Sequence, residues 1–274
     1  MFEPIGTFPS CATAWLAAAQ RLITAGGEAY NLVVDIEDPV KHSPADAAVI
    51  LDVDRFLRGR NAYPVTTVAN TIFPQDLYRR HGATGFRIEY LRAYDAIRKK
   101  GWGRYFERMV RWPGDNGQMT DQLHDLIEKL GTQLKSRQTF KSVYELTLFD
   151  PARDARRNRN RQCLSFLSFK HHPVRGLMLT AMYRNHHYVS RALGNFIGLG
   201  NLMAYIAKQV GTPVGPLTCV STHAEIDTAS ACAAKDGEDA DDTEQGWTIT
   251  EARDLIASLT AKQPRPASAA GAAR

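Results

Sequence analysis

The feature that most constrains the fold is a long apolar segment at residues 190–211, SRALGNFIGLGNLMAYIAKQVG. Its hydrophobicity is nearly unbroken on all sides of a helix, and such a helix is stable only when it is buried. Alternating segments flank it: TFKSVYELTLFD (139–150), CLSFLSFKHH and GLMLTAMYRNHH precede it, and PLTCVSTHAEI follows. Alternation with a period of two predicts half-buried strands. The chain therefore predicts a helix buried against a sheet.

The first half of the chain has the periodicity of helices instead. An alternating stretch, EAYNLVVDIEDP, predicts one early strand, and a Thr120 cap predicts the start of an amphipathic helix. Helices followed by a strand-rich centre predict an α+β fold with a mixed sheet, not a repeating βαβ protein. The predicted helices cover residues 11–27, 43–61, 73–82, 86–112, 119–131 and 247–262.

Composition shifts suggest where the domain ends. Residues 236–244, DGEDADDTE, are acidic, and the tail ends in KQPRPASAAGAAR. Such segments bury too little apolar surface to fold alone. We predict one folded domain at residues 1–234, an acidic linker at 235–246, and a terminal helix with a disordered tail at 247–274.

The cysteine and hydrophobic patterns exclude several classes of protein. The 274-residue chain has four cysteines, at positions 11, 163, 219 and 232, without a CxxC motif. This pattern argues against a disulfide framework and a zinc site, and we expect no metal. The N-terminus lacks the basic region of a secretory leader, and no apolar run has membrane-spanning length. These observations predict a cytoplasmic protein that does not enter a membrane.

Basic residues are concentrated in two segments. The net charge is +5, residues 153–161 hold five arginines, and residues 98–111 are also rich in Lys and Arg. Such clusters favour phosphate-bearing partners, but they are equally typical of solvated surface. Composition alone does not separate a nucleotide from RNA.

One cysteine stands immediately after the main arginine cluster. Cys163 follows RNRNRQ and precedes the alternating LSFLSF. It is either a small buried hydrophobic residue at the head of a strand or a thiolate nucleophile stabilised by cationic neighbours. Local sequence leaves both interpretations open.

Motif order and spacing from residue 52 to residue 226 resemble a divergent thymidylate synthase, of the family that includes pyrimidine nucleotide C5-hydroxymethylases. No single motif is decisive. The segments are DVDRFLRG (52–59), GRYFERMVRW (103–112) with PGDNGQMTDQLHDLIEKL, KSRQTFKSVYEL (135–146), RQCLSFLSF, YRNHHYVSRALGN (183–195) and STHAEI (221–226).

The resemblance implies a single α+β domain with a long buried central helix, and one-carbon transfer to C5 of a pyrimidine nucleotide. Cys163 resembles the nucleophile that adds to C6, and Arg184 resembles an arginine that contacts both phosphate and cysteine. Tyr105 resembles a tyrosine that assists proton removal at C5. Asp52 stands where the family has a glutamate that organises water. The implied donor is 5,10-methylenetetrahydrofolate, and the implied setting is nucleotide biosynthesis.

The resemblance also implies binding residues. Asn195 lies eleven positions after Arg184, as the family's base-reading asparagine does, although a helix cap is the alternative. Arg137 resembles a phosphate arginine supplied by the other subunit of a homodimer, or is a solvated residue. His223 resembles a ribose-contacting histidine, or is a core histidine. His187 occupies the position of the aspartate that holds the folate ring.

Other positions depart from the family pattern. The N-terminal phosphate loop has no counterpart, the second arginine of a Ser-Arg-Arg pair is Gln138, and a tyrosine is replaced by Glu225. The nucleophile and base-reading positions are retained, whereas phosphate and folate positions are altered. Two hypotheses follow: a one-carbon transferase that acts on a uracil-type nucleotide or nucleoside and is not a housekeeping thymidylate synthase, and a non-catalytic nucleotide- or RNA-binding protein on the same scaffold.

Overall fold

A computed structural model describes residues 3–97, 104–114, 117–136, 138–156, 161–228 and 246–263. It confirms the α+β class, with helices packed around a mixed sheet. The strands are Glu3–Phe8 (β1), Glu28–Ile36 (β2), Trp112–Pro113 (β3), Met119–Thr120 (β4), Glu145–Thr147 (β5), Leu164–His172 (β6), Gly176–Tyr183 (β7), His186–His187 (β8) and Val214–Glu225 (β9). The helices are Cys11–Thr24 (α1), Pro44–Arg58 (α2), Val65–Ile72 (α3), Gln75–Ala96 (α4), Tyr105–Val110 (α5), Gln122–Lys135 (α6), Pro151–Asp154 (α7), Leu193–Val210 (α8) and Ile249–Ala261 (α9), with a π-helical turn at Tyr188–Ala192 before α8.

The main sheet brings segments that are distant in sequence together at one end of its central strands. Its order is β1-β2-β9-β7-β6-β5, and β8 also pairs with β9. Strand β7 runs antiparallel to β6, which pairs Tyr183 with Leu164, and parallel to β9, which pairs Tyr183 with Ser221. The start of β6 therefore lies beside the end of β7 and the second half of β9. Cys163 and Arg184, next to these strand ends, are neighbours for this reason.

Helix α8 is the buried central helix that the apolar segment predicts. Phe196, Leu199 and Leu202 are fully buried. It packs closely against α3, because Gly194 and Gly198 allow the two backbones to approach: an added Cβ would lie 2.7 Å from the carbonyl oxygens of Val65 and Ala69, respectively. The close approach fixes α8, and with it the residues of its first turn.

The predicted break between the helices at 73–82 and 86–112 is confirmed, because α4 consists of two helical segments that meet at Gly82, whose φ of 65° is not helical. Other helix predictions need correction. The predicted helix at 86–112 is divided, because α4 ends at Ala96 and a short α5 begins at Tyr105. The predicted cap of α6 was one residue early: Asp121, not Thr120, accepts the amide hydrogen bond from His124. An aspartate that follows a threonine offers two adjacent cap candidates, and sequence does not choose between them.

The strand predictions were more accurate where the two faces of a strand differ clearly in polarity. Strands β2, β6, β7 and β9 form at the alternating segments. The alternating stretch at 139–150 forms only the short edge strand β5, and β1 and α3 were not predicted.

The terminal helix contributes to the core. Trp247, Ile256 and Leu259 are buried, and the Trp247 indole donates a 2.7 Å hydrogen bond to the Asp227 carbonyl. Most of the predicted linker and most of the tail lie outside the described residues, so the predicted boundaries remain predictions. In the described part of the chain, no helix is both long and apolar enough to cross a membrane.

Candidate active site

Cys163 lies immediately before β6, where hydrogen bonds fix its backbone. The Arg184 amide donates to the Cys163 carbonyl at 2.9 Å. The Arg184 side chain donates from Nε to the Gln162 carbonyl and from Nη2 to the Arg161 carbonyl, both at 3.0 Å. On the other side, the Tyr105 hydroxyl accepts a 3.4 Å hydrogen bond from the Leu164 amide. One arginine and one tyrosine therefore bracket the cysteine.

The thiol of Cys163 experiences opposing electrostatic effects. Burial raises its pKa above the ordinary value, while Arg184, Arg191 and Arg161 act to lower it. The net direction is upward, because desolvation of the thiolate outweighs the nearby cations. The arginines partly offset burial but do not produce the lowered pKa that the sequence suggested.

Aromatic hydroxyl groups surround the nucleophile. Burial raises the pKa of Tyr105 and of Tyr183, and the nearby Cys163 raises both further. Within the described residues, the buried hydroxyl of Tyr183 has no hydrogen-bond partner. An unsatisfied buried hydroxyl is uncommon, and here Cys163 is among the groups that act on the tyrosine.

Asn195 belongs to a second polar cluster. The α8 cap position is Ala192, and Asn195 lies inside the helix, so the helix-cap alternative is not supported. Its amide Nδ2 is 3.1 Å from His186 Nε2, and His186 Nδ1 is 2.9 Å from the Ser221 hydroxyl. Burial lowers the pKa of His186 to about 3, so the ring is neutral and carries one N–H. The imidazole therefore links the Ser221 hydroxyl to the Asn195 amide.

His223 belongs to a third cluster, which is formed by residues of β2, β8 and β9 together with Asn185. Its Nδ1 is 2.5 Å from Asn185 Oδ1, and its Nε2 is 3.2 Å from Glu28. The Asn185 amide also donates to Glu225 at 3.1 Å, and His187 Nε2 lies 3.1 Å from the same carboxylate oxygen. Although imidazoles and carboxylates meet here, no group of three or more His, Cys, Asp or Glu in the described part of the chain is arranged to hold a metal.

The structure brings together only some of the residues predicted from sequence. Cys163, Tyr105 and Arg184 form one cluster. The carboxylate of Asp52 pairs with other residues instead, with Arg55 at 3.2 Å and with Lys262 at 2.7 Å. Arg137 lies outside the described residues.

Three residues beside these clusters were not identified from sequence. They are Asn185, His186 and Arg191, which all lie within RNHHYVSRA (residues 184–192). The signal in the sequence is a polar run between a strand and a buried helix. The polar groups of such a run must find hydrogen-bond partners within the protein. The π-helical turn that carries Arg191 is a further feature common at functional sites, but sequence does not predict it.

Comparison with known proteins agrees with the geometry at a coarse level. No family model matches the chain. Two curated proteins, from Methanosarcina mazei and Methanosarcina barkeri and each described as "Putative thymidylate synthase", are 30% identical over 122 residues. The matched region is 44% of this chain and 51% of each relative, so the chain spans about half the length of these relatives. The chain has a distant relationship to proteins named as thymidylate synthases.

Proposed function

We propose that this chain transfers a one-carbon unit to C5 of a uracil-type pyrimidine nucleotide through a covalent bond between Cys163 and C6. The principal support is the placement of Cys163 between Tyr105 and Arg184, with further positive charge from Arg161 and Arg191. The distant relatives named as thymidylate synthases support the same class of chemistry.

The chemistry needs a cysteine because C5 of uracil is a weak nucleophile. Addition of the Cys163 thiolate to C6 moves the ring electrons toward O4 and makes C5 an enolate carbon. C5 then forms a bond to the electrophilic carbon and loses its proton, and the carrier group leaves that carbon, which gives an exocyclic methylene while the sulfur is still bound to C6. Addition to this methylene reforms the C5–C6 double bond and releases the sulfur from C6. Hydroxymethylation ends with water adding to the exocyclic methylene, whereas methylation ends with hydride from the donor.

Each neighbouring group has a role in this proposal. Arg184 stabilises the thiolate, because it is the cation with the largest effect on the Cys163 thiol. Tyr105 orders the water that accepts the C5 proton. Its own high pKa keeps the hydroxyl protonated, so it donates and accepts hydrogen bonds and is not an anionic base. Asn195 reads the pyrimidine edge, and His223 binds the sugar.

The position expected to contact the carbon donor departs from the family pattern. The relationship implies 5,10-methylenetetrahydrofolate, and the expected ring-contact position holds His187. Its Nε2 is engaged by the Glu225 carboxylate, so this position does not present the carboxylate that the family uses. These residues do not fit the family's folate contact. The steps above require an electrophilic one-carbon donor and, for methylation, a source of hydride.

A homodimer is also part of the proposal. The sheet face opposite α1 and α8 leaves Phe166 and Met182 exposed by 36% and 39%. Phe166 pairs with Met182 across β6 and β7, and Met182 pairs with Val220 on β9. This apolar row suits a two-fold contact in which the same face of each copy is buried.

Exchange of the C5 hydrogen separates a catalyst from a binding protein. In heavy water, reversible addition at C6 replaces H5 of uridine monophosphate with deuterium, without any carbon donor. We expect proton NMR to show loss of the H5 signal with the wild type and with Cys219→Ala, but not with Cys163→Ser. Nucleotide binding without exchange would instead favour the non-catalytic nucleotide- or RNA-binding alternative.

A further inference from the structure

The carboxylate of Glu225 has a free oxygen beside the proposed nucleotide site. Glu225 ends β9, where it pairs with His187 on β8 and with Glu28 on β2. Both donors that reach it, Asn185 Nδ2 and His187 Nε2, contact the same oxygen, Oε1, at 3.1 Å. Among the described residues, no contact to Oε2 is found. Two donors therefore fix the carboxylate while one oxygen stays available.

This carboxylate is ionised at neutral pH. The hydrogen bond from His187 lowers the pKa of Glu225 to about 2, with further contributions from Asn185 and His223 that outweigh partial burial. An ionised carboxylate only accepts hydrogen bonds. The Glu225 side chain is 29% exposed, so it is only partly enclosed by the protein.

The surroundings place this acceptor near the nucleophile. Asn185, which donates to Glu225, directly follows Arg184, which bonds to the backbone of Cys163. Asn185 also contacts His223, the residue assigned here to the sugar. Glu225 is itself one of the charges that act on the thiol.

The chemistry of a nucleotide leaves the sugar hydroxyls as partners for this oxygen. A phosphate would be repelled by the carboxylate, and Asn195 is assigned to the base edge. Sugar hydroxyls, by contrast, donate hydrogen bonds, and a carboxylate beside a nucleotide site suits a ribose 2′-hydroxyl.

We propose that Glu225 accepts a hydrogen bond from the sugar and selects ribonucleotides over deoxyribonucleotides. The inference rests on the proposed function only in that a pyrimidine nucleotide binds beside Cys163. Asn185 and His187 act as positioning residues, because they hold Oε1 and thereby direct Oε2.

Calorimetric titration with matched pairs of nucleotides tests the proposal. Uridine and deoxyuridine monophosphates form one pair, and cytidine and deoxycytidine monophosphates form another, so the sugar ratio is read whichever base is preferred. A hydrogen bond to a charged group predicts that the wild type binds the ribonucleotide about 10- to 100-fold more tightly.

The variants assign that preference to Glu225. We expect Glu225→Gln and Glu225→Ala to bring the ribo-to-deoxy ratio close to one, mainly by weakening the ribonucleotide. The exposed Glu128→Gln on α6 should retain the wild-type ratio. Circular dichroism and thermal melting establish that each variant is folded.

The outcomes separate this inference from the proposed function. Equal binding of both sugars by a wild type that exchanges H5 would overturn the role of Glu225 and leave the function intact. A ratio unchanged in both folded Glu225 variants would show that this residue only holds His187. Failure of every nucleotide to bind would overturn both proposals.

Discussion

The amide Nδ2 of Asn195 lies 3.1 Å from Nε2 of His186, so the base-reading candidate is oriented by a neutral imidazole. If the Ser221 hydroxyl accepts a hydrogen bond from the imidazole Nδ1–H, Nε2 accepts one from the Asn195 amide, and the amide oxygen is left for a ligand. If Ser221 donates to the ring, the amide must turn over and its nitrogen is left instead. The direction of one hydroxyl proton thus determines which pyrimidine edge the amide fits.

We predict that Asn195→Asp weakens uridine nucleotides and relatively favours cytidine nucleotides. Aspartate loses the donor that uracil O4 requires but still accepts from the cytosine amino group. Leaving a buried polar group unpaired costs about 1–3 kcal/mol, or roughly one to two powers of ten in affinity. Calorimetry with uridine and cytidine monophosphates measures the ratio.

Asn201→Asp is the matched control on the same helix, and it should leave the base ratio unchanged. Equal binding of the two bases by the wild type, or an unchanged ratio in Asn195→Asp, would show that Asn195 does not read the base.

The sequence identified the members of this site better than their environment. Spacing alone connected Arg184 with Asn195, because both lie in one continuous segment. It did not identify His186 as the partner of Asn195. That contact depends on the π-helical turn and on Ser221, a residue of β9 that is distant in sequence. Nor did it predict that burial would outweigh positive charge at Cys163, because desolvation is a property of the packed structure.

We predict that Arg184→Gln slows alkylation of Cys163. Removing the nearest strong cation destabilises the thiolate, which raises the thiol pKa further and lowers the thiolate fraction at any fixed pH. Arg191→Gln should act in the same direction with a smaller effect. Iodoacetamide labelling across a pH series, followed by peptide mass mapping, measures the rate at Cys163 alone.

Arg55→Gln is a suitable control, since Arg55 is exposed and pairs with Asp52. A Cys163 labelling profile that is the same in Arg184→Gln and Arg55→Gln would contradict the electrostatic role of Arg184.

We predict a homodimer that is weakened by Phe166→Lys. A lysine in the exposed apolar row places a charge in the proposed two-fold contact and, by symmetry, brings two such charges together. Light scattering at micromolar concentration should give a dimer for the wild type and a larger monomer fraction for the variant. Val174→Lys, at an exposed turn, is the control. A monomeric wild type would rule out the shared assembly and a role for Arg137 in a partner's site.

We predict opposite stability effects for two helical glycines. In Gly194→Ala the new Cβ would lie 2.6 Å from the Val68 Cβ, and overpacking of this kind costs about 1–3 kcal/mol. In Gly131→Ala the new Cβ would meet Val210 at an ordinary 3.8 Å, and the gain in helix propensity is up to about 1 kcal/mol. Urea denaturation measures both. A neutral Gly194→Ala would mean that α3 and α8 are not tightly packed.

The fold was predictable where local periodicity and burial agree. Helix α8 follows from an apolar segment, and β6, β7 and β9 follow from alternation. The break in α4 at Gly82 follows from the glycine that ends the predicted helix at 73–82. The short β5 was not predictable from periodicity, because an edge pairing depends on neighbours distant in sequence.

Covalent capture by a 5-fluoropyrimidine nucleotide tests the central claim most directly. Fluorine does not leave C5 as a proton does, so the bond between sulfur and C6 should accumulate. Burial raises the pKa of Cys219 to about 12, and Cys11 is also buried, which leaves Cys163 as the accessible thiol among the described residues. We predict that intact-mass analysis of the protein, incubated with 5-fluorouridine and 5-fluorodeoxyuridine monophosphates with and without methylenetetrahydrofolate, shows one adduct, and that peptide mapping places it at Cys163. An adduct at another cysteine, or none in a folded protein that binds these nucleotides, would contradict covalent catalysis by Cys163.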